Sequence, residues 1–285
     1  MKIDGNTKQL GIIGDPVEHS FSPKMQNFIS ERMGENYVYS AWRVTPDKLS
    51  DAIAGMKALN IRGINVTAPH KKEVMQYLDV ISDQARLLGS VNTVVNKGGR
   101  LYGYNTDAEG FYAALYNEGI TMEGKNILII GAGGVVKPTL MRIIQEKPAS
   151  VTVVNRTKAK VTALKDALKE QMGFEINTDF KAFDHYDVVV NATSAGMAPQ
   201  LDALPIDGID EIDSLDFIDK NTAVVDMIYN PKHTLFLKEA RKLGAKTMTG
   251  LGRLIHQGLI AHELFTENKL PKDMTDIVTI EVFRS

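Results

Sequence analysis

The stretch from Asn126 to Lys160 constrains the fold more than any other part of the chain. Ile127 to Ile130 is an unbroken apolar run, as expected of a strand buried on both faces. Gly131, Ala132, Gly133 and Gly134 follow at once, and Leu140, Ile143 and Ile144 then recur at helical spacing. Ser150 to Val154 reads as a second strand. Strand, glycine turn, helix and strand make a βαβ unit, whose crossover is almost always right-handed. The turn feeds a helix N-terminus, where unpaired backbone N–H groups and the helix dipole favour a phosphate. Glycines there permit a tight turn and close backbone approach to a pyrophosphate. A glycine-rich string alone is weak evidence; the strand before it and the helix after it supply the required context. The third fingerprint position is Val136, so the helix is expected to pack less closely on its strand. Pro138 falls in the first helical turn, where a missing N–H costs little.

The end of the second strand bears on which nucleotide the unit would take. An NAD site places Asp or Glu there to accept from the ribose 2′-hydroxyl. This chain has Asn155, Arg156 and Thr157, then Lys158 and Lys160. A carboxylate would repel a 2′-phosphate, whereas an arginine grips one with forked, charge-assisted bonds. The bland alternative is a solvated basic turn. Position favours NADP.

Length and composition set bounds. A chain of 285 residues makes one large or two ordinary domains. A net charge of −2 gives no general field for nucleic acid or acidic membranes. With no cysteine, disulfides, thiolate catalysis and cysteine-ligated zinc are excluded, and a cytoplasmic setting is expected. The N-terminal stretch lacks the apolar core of a signal peptide, and no apolar run is long enough to span a bilayer. The six histidines are scattered without ligand spacing, so no metal is expected.

Before the nucleotide stretch, three strand-to-helix loops carry polar groups. A strand from Leu10 to Gly14 leads through Ser20 and Ser22 to Pro23, which opens a helix with Met25, Phe28 and Ile29 on its apolar stripe. Ser22 reads as an N-cap or as a ligand group, whereas Ser20 has no evident local duty. A strand from Gly63 to Val66 leads to Thr67, Pro69, His70, Lys71 and Lys72. If Thr67 caps a helix, the cations crowd its first turn against the dipole. A broken local rule points to function, although two solvated lysines would also account for it. A hairpin from Val91 to Tyr104 then leads through Asn105 and Thr106 to Asp107, which reads as the N-cap of a helix ending at Gly119. Such loops gather beyond the strand C-ends of an open α/β sheet. Ser20, Ser22, Thr67, Lys71, Asn92 and Asp107 could therefore meet one small, anionic molecule.

Beyond the nucleotide stretch, Val188 to Thr193 is another buried strand with a polar end. Ala198 to Asp219 is acidic and irregular, and is expected at the surface. Ala223 to Met227 is a strand followed by Tyr229, Asn230 and Pro231. Gly250 and Gly252 precede a helix carrying Arg253 and Gln257. The tail from Asn268 is polar, with little to fix it.

This ordering resembles the shikimate dehydrogenase family, over nearly all of the chain from Gly11 to about Leu264. The stretches that carry the likeness are Ser20 to Pro23, Asn65 to Lys71, Val91 to Thr93, Asn105 to Asp107, Gly131 to Gly134, Asn155 to Thr157, Asn191 to Met197, and Gly250 to Gly252 with Gln257. The resemblance implies an α/β fold with an N-terminal substrate domain, an inserted Rossmann-like NADP-binding domain, and a C-terminal helix returning to the first domain. In residues, these are 1–109 with 247–285, and 110–246. It implies reversible NADPH-dependent reduction of 3-dehydroshikimate to shikimate, a step toward chorismate and the aromatic amino acids. Lys71 and Asp107 match the family's catalytic pair. Ser20, Ser22, Thr67, Asn92, Tyr229 and Gln257 match substrate-contacting positions. Gly131, Ala132, Gly133, Gly134, Asn155, Arg156, Thr157, Lys160 and Gly250 match the cofactor site. Val135, Val136 and Lys137, where small residues are commoner, and Arg253, where the family often has Met, depart from the pattern. Two rival expectations are a quinate/shikimate dehydrogenase of broader substrate and cofactor use, and a non-catalytic shikimate sensor. The expected partner is the small-molecule substrate, with no nucleic acid or membrane; a homodimer is left open.

Overall fold

The computed structural model describes residues 3–181 and 185–283. The chain divides into two compact units. One comprises the residues up to Gly110 together with those from Ile255 onward; the other is Phe111–Leu254.

The first unit is built on a mixed six-stranded sheet. Its elements are β1 (Lys8–Gly14), α1 (Ser22–Arg32), β2 (Tyr37–Arg43), α2 (Leu49–Ala58), β3 (Gly63–Val66), β4 (Val80–Ile81), α3 (Asp83–Leu88), β5 (Thr93–Lys97) and β6 (Arg100–Tyr104). The strands lie in the order β2-β1-β3-β5-β6-β4. β1 runs parallel to β2 and β3, and β5 runs antiparallel to β3 and β6. Successive side chains on a strand point to opposite faces. Accordingly, Ile13 and Val94 join a cluster with Leu49, Ile53 and Met56 of α2, while their neighbours Ile12 and Val95 join Tyr39, Ala261 and Phe265. Each such fully buried large side chain contributes about 1.5–3 kcal/mol.

Three helices complete the description of this unit. α4 (Asp107–Asn117) and α8 (Leu251–Thr266) both cross the boundary between units along the sequence. The tail does not hang loose, as its polarity suggested. Residues 274–283 form α9 (Met274–Phe283), which buries Met274, Val278 and Val282 at successive turns. Lys24 of α1 donates to the Val282 carbonyl at 2.7 Å, and the rings of Phe21 and Phe283 lie 5.6 Å apart.

The second unit holds a wholly parallel five-stranded sheet. Its elements are β7 (Asn126–Ile130), α5 (Val136–Gln145), β8 (Ser150–Val154), α6 (Lys158–Met172), β9 (Val188–Asn191), β10 (Ala223–Asp226), α7 (Leu235–Lys242) and β11 (Lys246–Met248). The strand order is β11-β10-β9-β7-β8, all parallel. The chain therefore reverses its direction of winding between β7 and β9, the switch point where open α/β sheets bind ligands. Val136 at the head of α5 is buried, as are Leu140, Ile143 and Ile144. The segment between β9 and β10 was expected at the surface. It lacks helix and strand, yet Ile206, Ile209, Ile212, Phe217 and Ile218 are buried against Leu128, Val189 and Phe236. It covers a sheet face that a crossover helix would otherwise cover, while its acidic residues face outward or lie at its turns.

Candidate active site

Strand register gathers the first unit's polar loops. Thr93 at the start of β5 pairs with Asn65 of β3 and with Tyr104 at the end of β6. β1 ends beside β3, with the Thr67 N–H donating to the Ile13 carbonyl at 2.9 Å and the Asp15 N–H donating to the Ala68 carbonyl at 3.0 Å. The loops bearing Ser20, Thr67, Lys71, Asn92 and Asp107 therefore leave one end of one sheet.

Lys71 and Asp107 meet there. The Lys71 ammonium Nζ stands 2.6 Å from Asp107 Oδ2, with about a third and a sixth of the two side chains accessible. Lys71 is not in the first turn of an α-helix, as its sequence context suggested. Residues 68–72 form turns, with a cis peptide bond before Pro69, and only a 3₁₀ turn follows, over Glu73–Tyr77. What fixes Lys71 is its backbone. The Lys71 carbonyl accepts from the Val91 N–H at 2.8 Å, and the buried His70 ring places Nε2 2.6 Å from the Val44 carbonyl. That carbonyl can only accept, so Nε2 carries the hydrogen.

Asp107 is the first residue of α4 rather than its cap. Its N–H donates to Asn105 Oδ1 at 3.0 Å. Asn105 in turn donates from Nδ2 to the Ser90 carbonyl. The carboxylate faces Lys71.

Asn92 lies directly before β5. It is buried, and its Oδ1 accepts from the Thr106 N–H at 2.8 Å and from the hydroxyls of Thr93 and Thr106. Its Nδ2 donates to Thr106 Oγ1 at 3.0 Å. Asn65 extends the network by donating to Thr93 Oγ1 and accepting from the Tyr39 hydroxyl at 2.8 Å. Asn65, Thr93 and Thr106 thus belong to the support of the site. Reading the chain by local segments gave them no role; Asn65 and Thr93 show as polar residues in apolar strands, Thr106 as part of a loop, and all three fall in stretches that carry the family likeness.

The serines exchange their expected duties. Phe21 takes the cap position of α1 without a side-chain bond, and Ser22 is the first, buried helical residue. Ser20 Oγ accepts from the Ser22 N–H at 3.2 Å. Ser22 bonds the phenol of Tyr39, whose pKa is raised by burial. Thr67 is half-buried beside Gly14, and Gln257 is half-buried on α8. Tyr229 belongs to the second unit, in the loop after β10, where it is partly exposed.

In the second unit, a cavity of about 380 Å³ opens at the switch point. Gly131, Ala132, Gly133, Asn155, Arg156 and Lys160 line it, joined by Thr193, Ser194 and Asp207, which sequence reasoning had not assigned. Gly131 has φ +122°, and a Cβ there would lie 2.8 Å from the Ala192 carbonyl oxygen, so only glycine closes β7 against β9. Gly133 and Gly134 have open space where a Cβ would project. That is the vacancy a pyrophosphate needs to reach backbone N–H groups ahead of α5.

The basic end of β8 has the chemistry for a further phosphate. α6 has no acidic residue in its first turn and begins with Lys158, against the preference of its dipole. Lys158 is paired with Glu211. Among the described residues, no carboxylate pairs with Arg156 or Lys160. Asn155 is turned toward the Thr157 carbonyl, to which its Nδ2 donates at 3.1 Å. Gly250 lies elsewhere, with its Cα against Met227, where a Cβ would fall 2.3 Å from the Met227 carbonyl oxygen. Close packing on the end of β10 accounts for that glycine. Among the described residues, no group of three or more His, Asp or Glu stands ready to hold a metal, and no helix is long and apolar enough to cross a membrane.

A glycine turn and cations that no described carboxylate pairs, at the switch point of a parallel sheet in a chain that also presents a Lys–Asp pair, define a dinucleotide-dependent oxidoreductase. Residues 12–94 match the family model for the shikimate dehydrogenase substrate binding domain, and residues 114–200 match that for shikimate/quinate 5-dehydrogenase. The chain is 40% identical to the NADP(+) shikimate dehydrogenase of Caldanaerobacter subterraneus subsp. tengcongensis, with 96% of each chain covered. It is 41% identical to that of Methanocaldococcus jannaschii, with 93% of each covered. A solved shikimate dehydrogenase in complex with NADP+ superposes with a TM-score of 0.89 at 38% identity, covering 100% of this chain and 98% of the other. The chain belongs to the shikimate dehydrogenase family.

Proposed function

We propose that this chain catalyses the reversible, NADPH-dependent reduction of 3-dehydroshikimate to shikimate in the route to chorismate and the aromatic amino acids, with Lys71 and Asp107 as its catalytic pair. It is an oxidoreductase acting on a CH–OH group, with NADP as cofactor. The observation that carries the site assignment is the 2.6 Å contact between Lys71 Nζ and Asp107 Oδ2 at the loop end of the first sheet.

NADPH supplies the hydride. Reduction of a ketone leaves negative charge on its oxygen, and a lysine ammonium beside that oxygen stabilises the charge and delivers a proton to it. In the reverse direction, the amine removes the hydroxyl proton as the alcohol is oxidised. Asp107 holds the ammonium in place with one carboxylate oxygen and accepts a substrate hydroxyl with the other. The hydroxyls of Ser20, Ser22 and Thr67 orient the substrate carboxylate and ring hydroxyls. Gln257, Asn92 and Tyr229 complete the substrate contacts. For Asn92 the remaining capacity is one N–H of its amide, since Oδ1 already accepts three hydrogen bonds.

The cofactor residues divide the dinucleotide among them. Gly131, Ala132, Gly133 and Gly134 hold the pyrophosphate through backbone N–H groups. Arg156 and Lys160 meet the 2′-phosphate, with Asn155 and Thr157 beside them, and Gly250 is assigned to the cofactor side. The missing acid at the end of β8 supports NADP over NAD.

The deciding experiment is a spectrophotometric assay of shikimate oxidation, with NADP+ and NAD+ in parallel and quinate as the alternative substrate. Turnover with shikimate and NADP+ is expected to dominate. Equal efficiency with quinate or NAD+ would favour the broader-specificity reading, and shikimate binding without turnover would make the protein a sensor. The absence of cysteine supports a cytoplasmic setting. Sedimentation velocity decides between monomer and homodimer.

A further inference from the structure

Gly110 lies three residues into α4 from Asp107, on the same face of the helix. A Cβ at Gly110 would stand 2.5 Å from the backbone nitrogen of Gln257 and 2.7 Å from its Cα. Real side chains do not approach backbone so closely, and backbone in a helix cannot step aside as a flexible side chain can. α4 and α8 therefore cross at a separation open only to glycine.

The other side of α8 is held as well. A Cβ at Gly258 would lie 2.1 Å from Met25 Cε of α1, and the Gly258 carbonyl accepts from Gln26 Nε2 at 2.8 Å. Met25 and Gln26 are both fully buried. Gln257 is thus carried on a stretch of α8 clasped between α4 and α1. Asp107 sits one turn from the first jaw, and Ser22 sits one turn from Gln26 on the second.

We propose that Gly110 is a positioning residue of the active site: it sets the distance from Asp107 at the head of α4 to Gln257 on α8, and through that distance the grip on the substrate. The inference rests on the substrate roles given above to Asp107 and Gln257. A misplacement of about 1 Å is enough to cost on the order of 100-fold in an oriented site. A purely structural glycine would lower thermal stability and leave substrate affinity in the folded fraction unchanged.

The test is Gly110→Ala, with shikimate and NADP+ affinities measured separately by calorimetry beside steady-state kinetics. The expected result is a shikimate Kd and KM raised about 10- to 100-fold, with the NADP+ Kd within about twofold of the parent protein. Should Gly110→Ala fail to fold, Met25→Ala decides, because it loosens the opposite jaw without overfilling the crossing. It is expected to raise the shikimate Kd severalfold and leave NADP+ affinity alone. Gln257→Ala, run alongside, separates two failures. If Gln257→Ala leaves shikimate binding unchanged, the substrate role of Gln257 falls and this proposal with it. If Gln257→Ala weakens shikimate binding while the folded Gly110→Ala or Met25→Ala protein does not, only the positioning role of Gly110 is overturned.

Discussion

Lys71 Nζ and Asp107 Oδ2 stand 2.6 Å apart although 36 residues separate them in the chain. The pair exists because β3 and β6 flank β5 and both run antiparallel to it, so the loops that follow them leave the same end of the sheet. In a partly buried ion pair the desolvation of both charges offsets much of the Coulombic gain, so its worth lies in what it does to a bound alcohol.

Replacing the lysine tests that worth. Lys71→Ala is expected to lower kcat for shikimate oxidation by about 10²–10⁴-fold, the range for losing a general acid–base group, while the shikimate KM changes far less. Steady-state kinetics with saturating NADP+ measure both. A near-normal kcat in the folded variant would remove Lys71 from the chemistry.

Cofactor choice is tested at Arg156. Charge-assisted hydrogen bonds contribute about 1.5–3 kcal/mol, and about 1.4 kcal/mol corresponds to tenfold in affinity. Arg156→Ala should therefore weaken NADPH by about 10- to 100-fold and NADH much less. Measuring both dissociation constants by fluorescence titration checks it, and equal losses would refute the 2′-phosphate contact.

Local rules made the second unit easy to read. The apolar run of β7, its glycines and the periodic Leu140, Ile143 and Ile144 all lie within one short stretch, and no tertiary contact is needed to interpret them. The surroundings of Lys71 were misread for the converse reason. Thr67 and Pro69 carry helix-start chemistry, yet the Lys71 carbonyl is taken by Val91 and no α-helix forms. α9 is rich in β-branched residues of modest helix propensity, and it forms where α1 offers an apolar face and Lys24 a donor. The isoleucines between β9 and β10 follow neither strand nor helix period, so their burial could be seen only with the sheet beneath them. The links among Asn92, Thr93 and Thr106 join the start of β5 to the loop after β6, a pairing that depends on register.

That network yields a further test at Asn92. Its amide oxygen accepts three hydrogen bonds in a buried setting, two of them from Thr106, directly before Asp107. Asn92→Ala strands the Thr106 N–H, at about 1–3 kcal/mol for a stranded buried group. The variant should lose that much in urea unfolding and should also lose turnover, because Thr106 positions Asp107. Unchanged unfolding with weakened shikimate binding would instead make Asn92 a direct substrate contact alone.

Acid sensitivity should centre on Glu35, which faces His262. The two side chains are almost fully buried, with His262 Nε2 2.8 Å from Glu35 Oε2 and His262 Nδ1 2.7 Å from Gln26 Oε1. Gln26 commits its Nε2 to the Gly258 carbonyl, so its oxygen faces the ring. Both ring nitrogens therefore face acceptors. Burial pushes the Glu35 carboxyl upward from 4.5, but hydrogen bonds from His262 and Asn268 outweigh it and hold the group below that value. A carboxyl whose folded pKa is depressed contributes its full stability above the unfolded value and loses it as pH falls through the folded one. The contribution is thus complete above about pH 4.5 and disappears below it. Glu35→Gln should lower unfolding free energy at neutral pH by about 1–3 kcal/mol, and the gap to the parent protein should narrow as pH drops through the carboxylate range. Urea unfolding across that range measures the gap directly; a gap that stays constant with pH would show that the ionised carboxylate is not what fastens α8 to the strand and helix beneath it.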